Sequence, residues 1–334
     1  MTIREVAERA GVSVATVSAV INENKYVSDE LRSRVLQAIR DLDYRPNRWA
    51  KSLATGKGYT IAYVVPDITN PIFSQITKGI QEVANGQNYS VILCSTNFDS
   101  PTLQRYVDWI LEMRVDGVVF TGSHHQQSLD EMIRIVKAGI PLAAAMAPGS
   151  AEFVDRILIN DQEAACQAVT ILQNQGCHAV AFLGVSESTT SLKRLRGYQE
   201  AVTVYSPELT AFGADFTWQD GYTAMQAILS RGCLFDGVFA GSDLMALGAA
   251  AALREHSRRI PGDIQLMGFD NTYAHLADSP FQSMAIPAFD IGKTAADVVF
   301  WRMNDRQRPP TTTTLQARLV GPAAASRKGE FQQQ

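Results

Sequence analysis

The chain has 334 residues, 46% of them hydrophobic, and a formal net charge of −4. That is enough apolar material for a sizeable core and more than one domain. The start MTIREVAERA has no apolar h-region, which argues against a signal peptide. No run of the sequence approaches the ~18 apolar residues of a membrane span, so no membrane partner is expected. Cys94, Cys166, Cys177 and Cys233 show no CxxC spacing and read as reduced thiols of a cytoplasmic protein. The charge is uneven: residues 1–58 carry a net of +3 and the remainder −7. A basic head on an acidic body fits DNA contact confined to the head, because phosphate neutralisation supplies most non-specific affinity.

The head opens with Thr2 to Asn22, TIREVAERAGVSVATVSAVIN. Thr2 and Glu5 have capping-box spacing, and Ile3, Val6, Ala7 and Ala10 fall on one face of a short helix. Gly11 suits a tight interhelical turn, and Ser13 suits the cap of a second helix. That helix keeps Val17, Val20 and Ile21 for packing and leaves Val14, Ala15, Thr16, Ser18 and Ala19 to face outward. A small, hydroxylated outer face lies close against a duplex, so a helix-turn-helix is predicted, with a bundle hairpin as the plain alternative. Ser28, Asp29 and Glu30 open a third helix, with Leu31, Val35, Ile39 and Leu42 on its packing face. Pro46 stops it; Arg48–Ala54 then reads as a short helix ended by Gly56, too short to persist unless docked.

The run VxVATVSxVIN…VSxELRxRVLxAIRxLxYRPNxxAxSLxTG resembles the LacI/GalR (lactose-repressor/galactose-repressor) family of bacterial transcription factors. The resemblance implies that Val14 and Ala15 begin a recognition helix that reads bases, with Ala19 as third reader. It implies phosphate or sugar contacts for Ser13, Thr16, Asn22, Tyr44 and Asn47. Leu53 matches a hinge-helix leucine that wedges into the minor groove and bends the operator. All three reading positions are small and apolar here, so readout would rest on thymine methyls, close approach and DNA shape rather than an Arg–guanine fork.

From Tyr59 strands and helices alternate. Strands are predicted at Ile61–Val65, Ser90–Cys94, Gly117–Thr121, Pro141–Ala145, Ile157–Ile159, Ala179–Leu183, Gly237–Ala240 and Ile264–Gly268. Helices are predicted at Phe73–Ala84, Thr102–Met113, Ser128–Lys137, Glu163–Gln175, Leu192–Thr203, Gly221–Ser230 and Leu244–Glu255. Such alternation indicates α/β architecture with parallel sheets. The resemblance implies a two-lobed type I periplasmic-binding fold with three crossovers, the last ~45 residues returning to the first lobe before finishing on the second. The domain plan is 1–46 helix-turn-helix head, 47–58 hinge helix and linker, and 59–334 effector-binding and dimerisation body of two α/β subdomains.

Ligands of open α/β sheets sit beyond the carboxyl ends of strands. Asp67, Asn70 and Phe73 follow the first strand, Thr121 the third, and Asp161 the crossover; Arg194, Phe216, Ser242 and Asp270 come later. Carboxylates and amides hold hydroxyls, an arginine forks onto adjacent oxygens, and aromatics cover a ring's apolar face, which together suit a sugar-like effector. Asp67, Asn70 and Asp161 also read as turn and cap residues, and Phe73 and Phe216 as core. By resemblance Arg194, three residues before Gly197, is the effector-binding arginine. Ser242 stands where asparagine is frequent.

No GxSxG, HExxH, P-loop or strand-linked GxGxxG is present, so no enzyme is expected. No cofactor is expected either. Adjacent His124 and His125 read as a surface loop rather than a metal site. The expected partners are double-stranded operator DNA, a small sugar or sugar derivative, and a second copy of the chain. Ala323–Gln334 has no apolar heptads, which argues for a homodimer rather than a tetramer. A sugar-binding protein without a DNA role is the alternative that the body alone would allow.

Overall fold

The computed structural model describes residues 1–22, 25–44, 57–121, 126–146, 150–277 and 281–321. Asn47, Leu53, the expected hinge helix over Arg48–Ala54, the His124–His125 pair and the end Ala323–Gln334 lie outside the described residues. The chain divides into two compact units after Tyr59.

In the first unit, α1 (Ile3–Ala10) starts at a complete capping box. The Thr2 amide donates to Glu5 Oε2 at 2.9 Å and the Glu5 amide to Thr2 Oγ1 at 3.4 Å. Gly11 ends the helix at φ 65°, a left-handed conformation that side chains disfavour. Ser13 Oγ accepts from the Thr16 amide at 3.1 Å and so caps α2 (Val14–Asn22). Across them lies α3 (Asp29–Asp41), and Val6, Ala10, Val17, Val20, Val35 and Ala38 form the shared core. Arg34 Nη2 donates to the Ala10 carbonyl at 2.7 Å, satisfying one orphan acceptor at the end of α1.

A Cβ at Gly11 would stand 2.6 Å from Arg34 Nη2. Gly11→Ala should therefore cost the head about 1–2 kcal/mol. The expected readout is faster amide exchange in the three helices and weaker operator binding; unchanged exchange would show that the turn tolerates a side chain.

The second unit runs β1 (Thr60–Val65), α4 (Pro71–Gly86), β2 (Ser90–Ser95), α5 (Ser100–Met113), β3 (Gly117–Thr121), α6 (Gln126–Lys137), β4 (Leu142–Ala145) and β5 (Asp155–Ile159). It continues with α7 (Asp161–Asn174), β6 (Val180–Val185), α8 (Thr189–Ala201), β7 (Thr210–Gly213), α9 (Trp218–Ser230), β8 (Gly237–Ala240), α10 (Asp243–Glu255) and β9 (Gln265–Phe269). Last come β10 (Gln282–Ala285), α11 (Ala288–Asn304), β11 (Thr312–Leu315) and β12 (Arg318–Val320). The sequence expectation omits β7, β10, α11, β11 and β12. It also starts α8 and α9 about three residues late, because Ser188 and Thr217 cap them by accepting from the Ser191 and Asp220 amides, each at 3.1 Å.

Two six-stranded sheets result, in the orders β11-β5-β4-β3-β1-β2 and β12-β10-β9-β8-β6-β7. Every pairing is parallel except β10 with β12. Strand alternation feeds both faces: Ile61, Tyr63 and Val65 of β1 enter one core and Ala62 and Val64 another, as two-sided burial of a parallel sheet requires. The chain passes between lobes at Asn160, at Ile286–Pro287 and at Gln316–Ala317. Asn160 Oδ1 accepts from the Ala317 amide at 2.8 Å, which locks the first crossover to the third. After the second crossover α11 packs on α4 and on β3–β5, inside the first lobe.

Three helix pairs close on glycine. Added Cβ atoms at Gly292 of α11 and Gly197 of α8 would each lie 2.0 Å from a partner-helix carbonyl oxygen, of Ile76 and Gln162. In the α9–α10 pair both helices contribute: a Cβ added at Gly248 would lie 2.0 Å from the Trp218 carbonyl oxygen and one at Gly221 2.2 Å from that of Met245.

Candidate functional site

The carboxyl ends of β1, β3 and β4 in one lobe and of β7 and β9 in the other open on a cavity of about 290 Å³. On the first lobe, the Asp67 carboxylate accepts from the Thr69 amide and hydroxyl, both at 2.8 Å. Asn70 Oδ1 accepts from the Ile72 amide at 3.1 Å and caps α4. The turn and cap roles are thus present, and both residues line the cavity as well. Phe73 and Thr121 join them. Thr121 Oγ1 lies 3.0 Å from the buried Tyr63 hydroxyl, whose ionisation burial pushes well up.

Arg194 dominates the second lobe. It is 2% exposed, and its Nε donates to Asp161 Oδ1 at 3.0 Å, with Nη2 2.9 Å from the same oxygen. Nη1 donates to the Gly241 carbonyl. The guanidinium lies 3.6 Å from the centroid of the Phe269 ring and 5.8 Å from that of Phe216, the stacking that a weakly hydrated planar cation favours. Asp270 Oδ1 stands 3.8 Å from Nη2.

Asp270 and Asn271 have φ of 96° and 55°, a left-handed pair that side chains adopt only where surroundings over-determine it. Buried Asp243 supplies that constraint. It accepts from Ser283 Oγ at 2.6 Å, the Tyr273 amide at 2.9 Å and the Ala274 amide at 3.0 Å. Ser283 Oγ in turn accepts from the Asn271 amide at 2.9 Å. A Cβ at Gly268 would sit 2.3 Å from Asp243 Oδ1, so only glycine leaves that carboxylate its place.

Of the nine sequence-predicted ligand residues, Asp67, Asn70, Phe73, Thr121, Arg194, Phe216 and Asp270 line the cavity. Asp161 and Ser242 do not. Asp161 stands behind Arg194 as its counter-charge. Ser242 is 2% exposed and its short side chain turns back to the Met245 amide at 3.2 Å, capping α10. The sequence reading passed over Phe98, Thr190, Asp215 and Trp218, which also line the cavity. Asp215 and Trp218 flank Phe216 just beyond β7, so reading β7 as a strand would have pointed to them. Trp218 is stacked on Tyr222 with centroids 5.4 Å apart and planes at 13°.

Burial pushes the Asp270 carboxyl up to about 7, against the pull of Arg194 and helped by Asp243 and Asp161. The folded state therefore holds a proton that the unfolded chain has already lost. Its stabilisation is full below the ordinary carboxylate range and disappears as pH rises through about 7. Asp270→Asn should remove that slope and raise stability near pH 8 by on the order of 1–3 kcal/mol. Parallel pH–stability curves for the two proteins between pH 5 and 8 would rule this out.

On α2, Val14 is 40% exposed, and Ala15, Ser13 and Asn22 are also exposed. The Ser13 and Thr16 hydroxyls lie 2.9 Å apart. The Asn22 amide donates to the Ser18 carbonyl at 3.0 Å, and Tyr44 packs half-buried on the head core. Ala19 corrects the sequence reading: it is 7% exposed, not outward-facing. It falls with Val17 and Val20 among the buried positions of α2, whereas Ala15 lies on the exposed side.

A family model described as "Bacterial regulatory proteins, lacI family" matches residues 2–47, and "Periplasmic binding proteins and sugar binding domain of LacI family" matches residues 59–322. The chain belongs to the LacI family. The ribose operon repressor of Halalkalibacterium halodurans is 32% identical, over 96% of this chain and 95% of that one. The solved transcriptional regulator CelR–cellobiose complex aligns at a TM-score of 0.73 with 29% identity, covering 96% of this chain and 98% of the other. The lac repressor dimer bound to operator and the anti-inducer ONPF aligns at 0.85 with 24% identity, covering 96% and 97%, a likeness of fold. As a LacI-family member this chain is a DNA-binding transcriptional regulator and not an enzyme. None of the described helices is long and apolar enough to cross a membrane.

Proposed function

We propose that the chain is a cytoplasmic homodimeric repressor of a carbohydrate-utilisation operon, released from its operator by a small sugar-like effector held between the lobes. The observation that carries this reading is the cavity itself. Asp67, Asn70, Arg194 and Asp270 present hydroxyl-matching groups, and Phe73, Phe216 and Trp218 present aromatic surface, in one enclosure. Polar groups set around aromatic faces match the alternating hydroxyl and CH surfaces of a sugar ring. The names of relatives, a ribose operon repressor and a cellobiose-bound regulator, agree with that chemistry.

In this reading the plan is head 1–46, linker 47–58 and body 59–334. Ser13, Val14, Ala15, Thr16, Asn22 and Tyr44 meet DNA, together with Asn47 and Leu53. Two chains place two recognition helices in neighbouring major grooves of a near-palindrome. Effector binding favours one arrangement of the lobes over another, and its differential affinity sets the shift in operator binding, with coupling of ~1–3 kcal/mol typical.

The test is fluorescence anisotropy of the full-length protein on its own promoter at fixed salt, with and without a panel of sugars. Release by one neutral sugar supports the reading. Tightening by a sugar would make the protein co-repressor-dependent, and promoter binding that no sugar alters would remove the effector role.

A further inference from the structure

Building on the effector reading above, we infer that the effector is an uncharged polyhydroxyl compound and that the cavity rejects congeners bearing a phosphate or carboxylate. Asp67 and Asp215 line the cavity together with Asp270, whose buried carboxyl keeps its proton up to about pH 7, and among the described residues its only lining lysine or arginine is Arg194. That cation is already balanced. Asp161 takes Nε and one edge of Nη2, the Gly241 carbonyl takes Nη1, and Phe269 covers one face. Arg194 keeps donors to offer a hydroxyl but brings no unbalanced positive charge to an anion.

Helix N-termini are the other common source of anion affinity, and those bordering the cavity are self-capped. Asn70 accepts from the Ile72 amide of α4, Ser188 from Ser191 of α8, Thr217 from Asp220 of α9 and Ser242 from Met245 of α10. In addition, α9 and α10 carry Asp220 and Asp243 in their first turns, which offset the positive end of the helix. An anion entering here meets the acidic side chains of Asp67 and Asp215 in a cleft between protein walls, where like charges repel more strongly than in bulk water. Neutral hydroxyls instead donate to acidic oxygens in exchange for their bonds to water and meet no like-charge repulsion.

The experiment is isothermal titration of the full-length protein with matched sets: neutral pentoses and hexoses, their terminal phosphates, and the corresponding aldonic and uronic acids. A neutral sugar should bind at least tenfold more tightly than its anionic congeners. An anionic congener that binds as tightly as its parent, or more so, overturns this inference and leaves the effector reading standing. Binding by no member of either class overturns the effector reading and this inference together. Asp161→Asn removes the carboxylate that balances Arg194, so it should narrow the neutral-to-anionic ratio several-fold. An unchanged ratio in that variant would overturn the charge-balance argument.

Discussion

Arg194→Met is expected to leave a repressor that still binds its operator and no longer releases it for any sugar. Arg194 is the residue through which the cavity, Asp161, the Gly241 turn and Asp270 are joined. Removing its donors takes away the only described basic side chain that an effector can touch in the cavity, so the effector's affinity should fall by two orders of magnitude or more. It also leaves Asp161 buried without its counter-charge, a change that costs about 3–5 kcal/mol. The double variant Asp161→Asn with Arg194→Met should recover much of that stability and none of the sugar response. Denaturant melts and operator anisotropy on the four proteins of this cycle separate the two roles. A double variant no more stable than Arg194→Met would mean that the Asp161 pair is not what the buried arginine holds together.

The second large effect concerns a residue that touches no ligand. At Gly248 a methyl would have to occupy space 2.0 Å from the Trp218 carbonyl and 2.6 Å from the Tyr222 amide. These are backbone atoms of α9 and have no rotamer with which to yield. Gly248→Ala should therefore force α9 and α10 apart, at a cost of about 2–3 kcal/mol. Because α9 begins at Trp218 and α10 carries Leu244, both on the cavity wall, sugar affinity should fall along with stability. The control is Gly86→Ala in the last turn of α4, where nothing lies within 4 Å of the added carbon and the change should be neutral or slightly stabilising. Equal melting temperatures for the two variants would show that the α9–α10 contact is not tight.

The sequence carried the head and the first two-thirds of the body because their signals are local. The capping box at Thr2 and Glu5, the turn at Gly11 and the alternation of Val-rich strands with amphipathic helices each sit within a dozen residues. It was less informative where packing surfaces are small. The buried face of α11 includes Ile291, Gly292, Ala295, Ala296 and Val299, at helical spacing throughout, yet glycine and alanine barely register as apolar and the periodicity fades. β7 is four residues at a sheet edge, too short for alternation to appear, and with it went Asp215 and Trp218. Motif spacing marked Arg194 as a ligand residue. That its charge is already matched by Asp161, 33 positions earlier in the chain, is a tertiary fact with no local trace. Ser242 shows the converse, a polar residue at a strand end that serves its own helix.

The order in which the lobes are completed has a consequence for synthesis. The first lobe has its first five strands by Ile159, but the helix that covers α4 is Ala288–Asn304. At 5–20 residues per second the ribosome takes roughly 7–30 s to span that interval. Throughout it, Ile76 and Gly79 of the nascent chain face solvent or a chaperone instead of α11. A premature stop before residue 288 would thus strip the cover from the lobe made first, although the missing codons lie at the far end of the message.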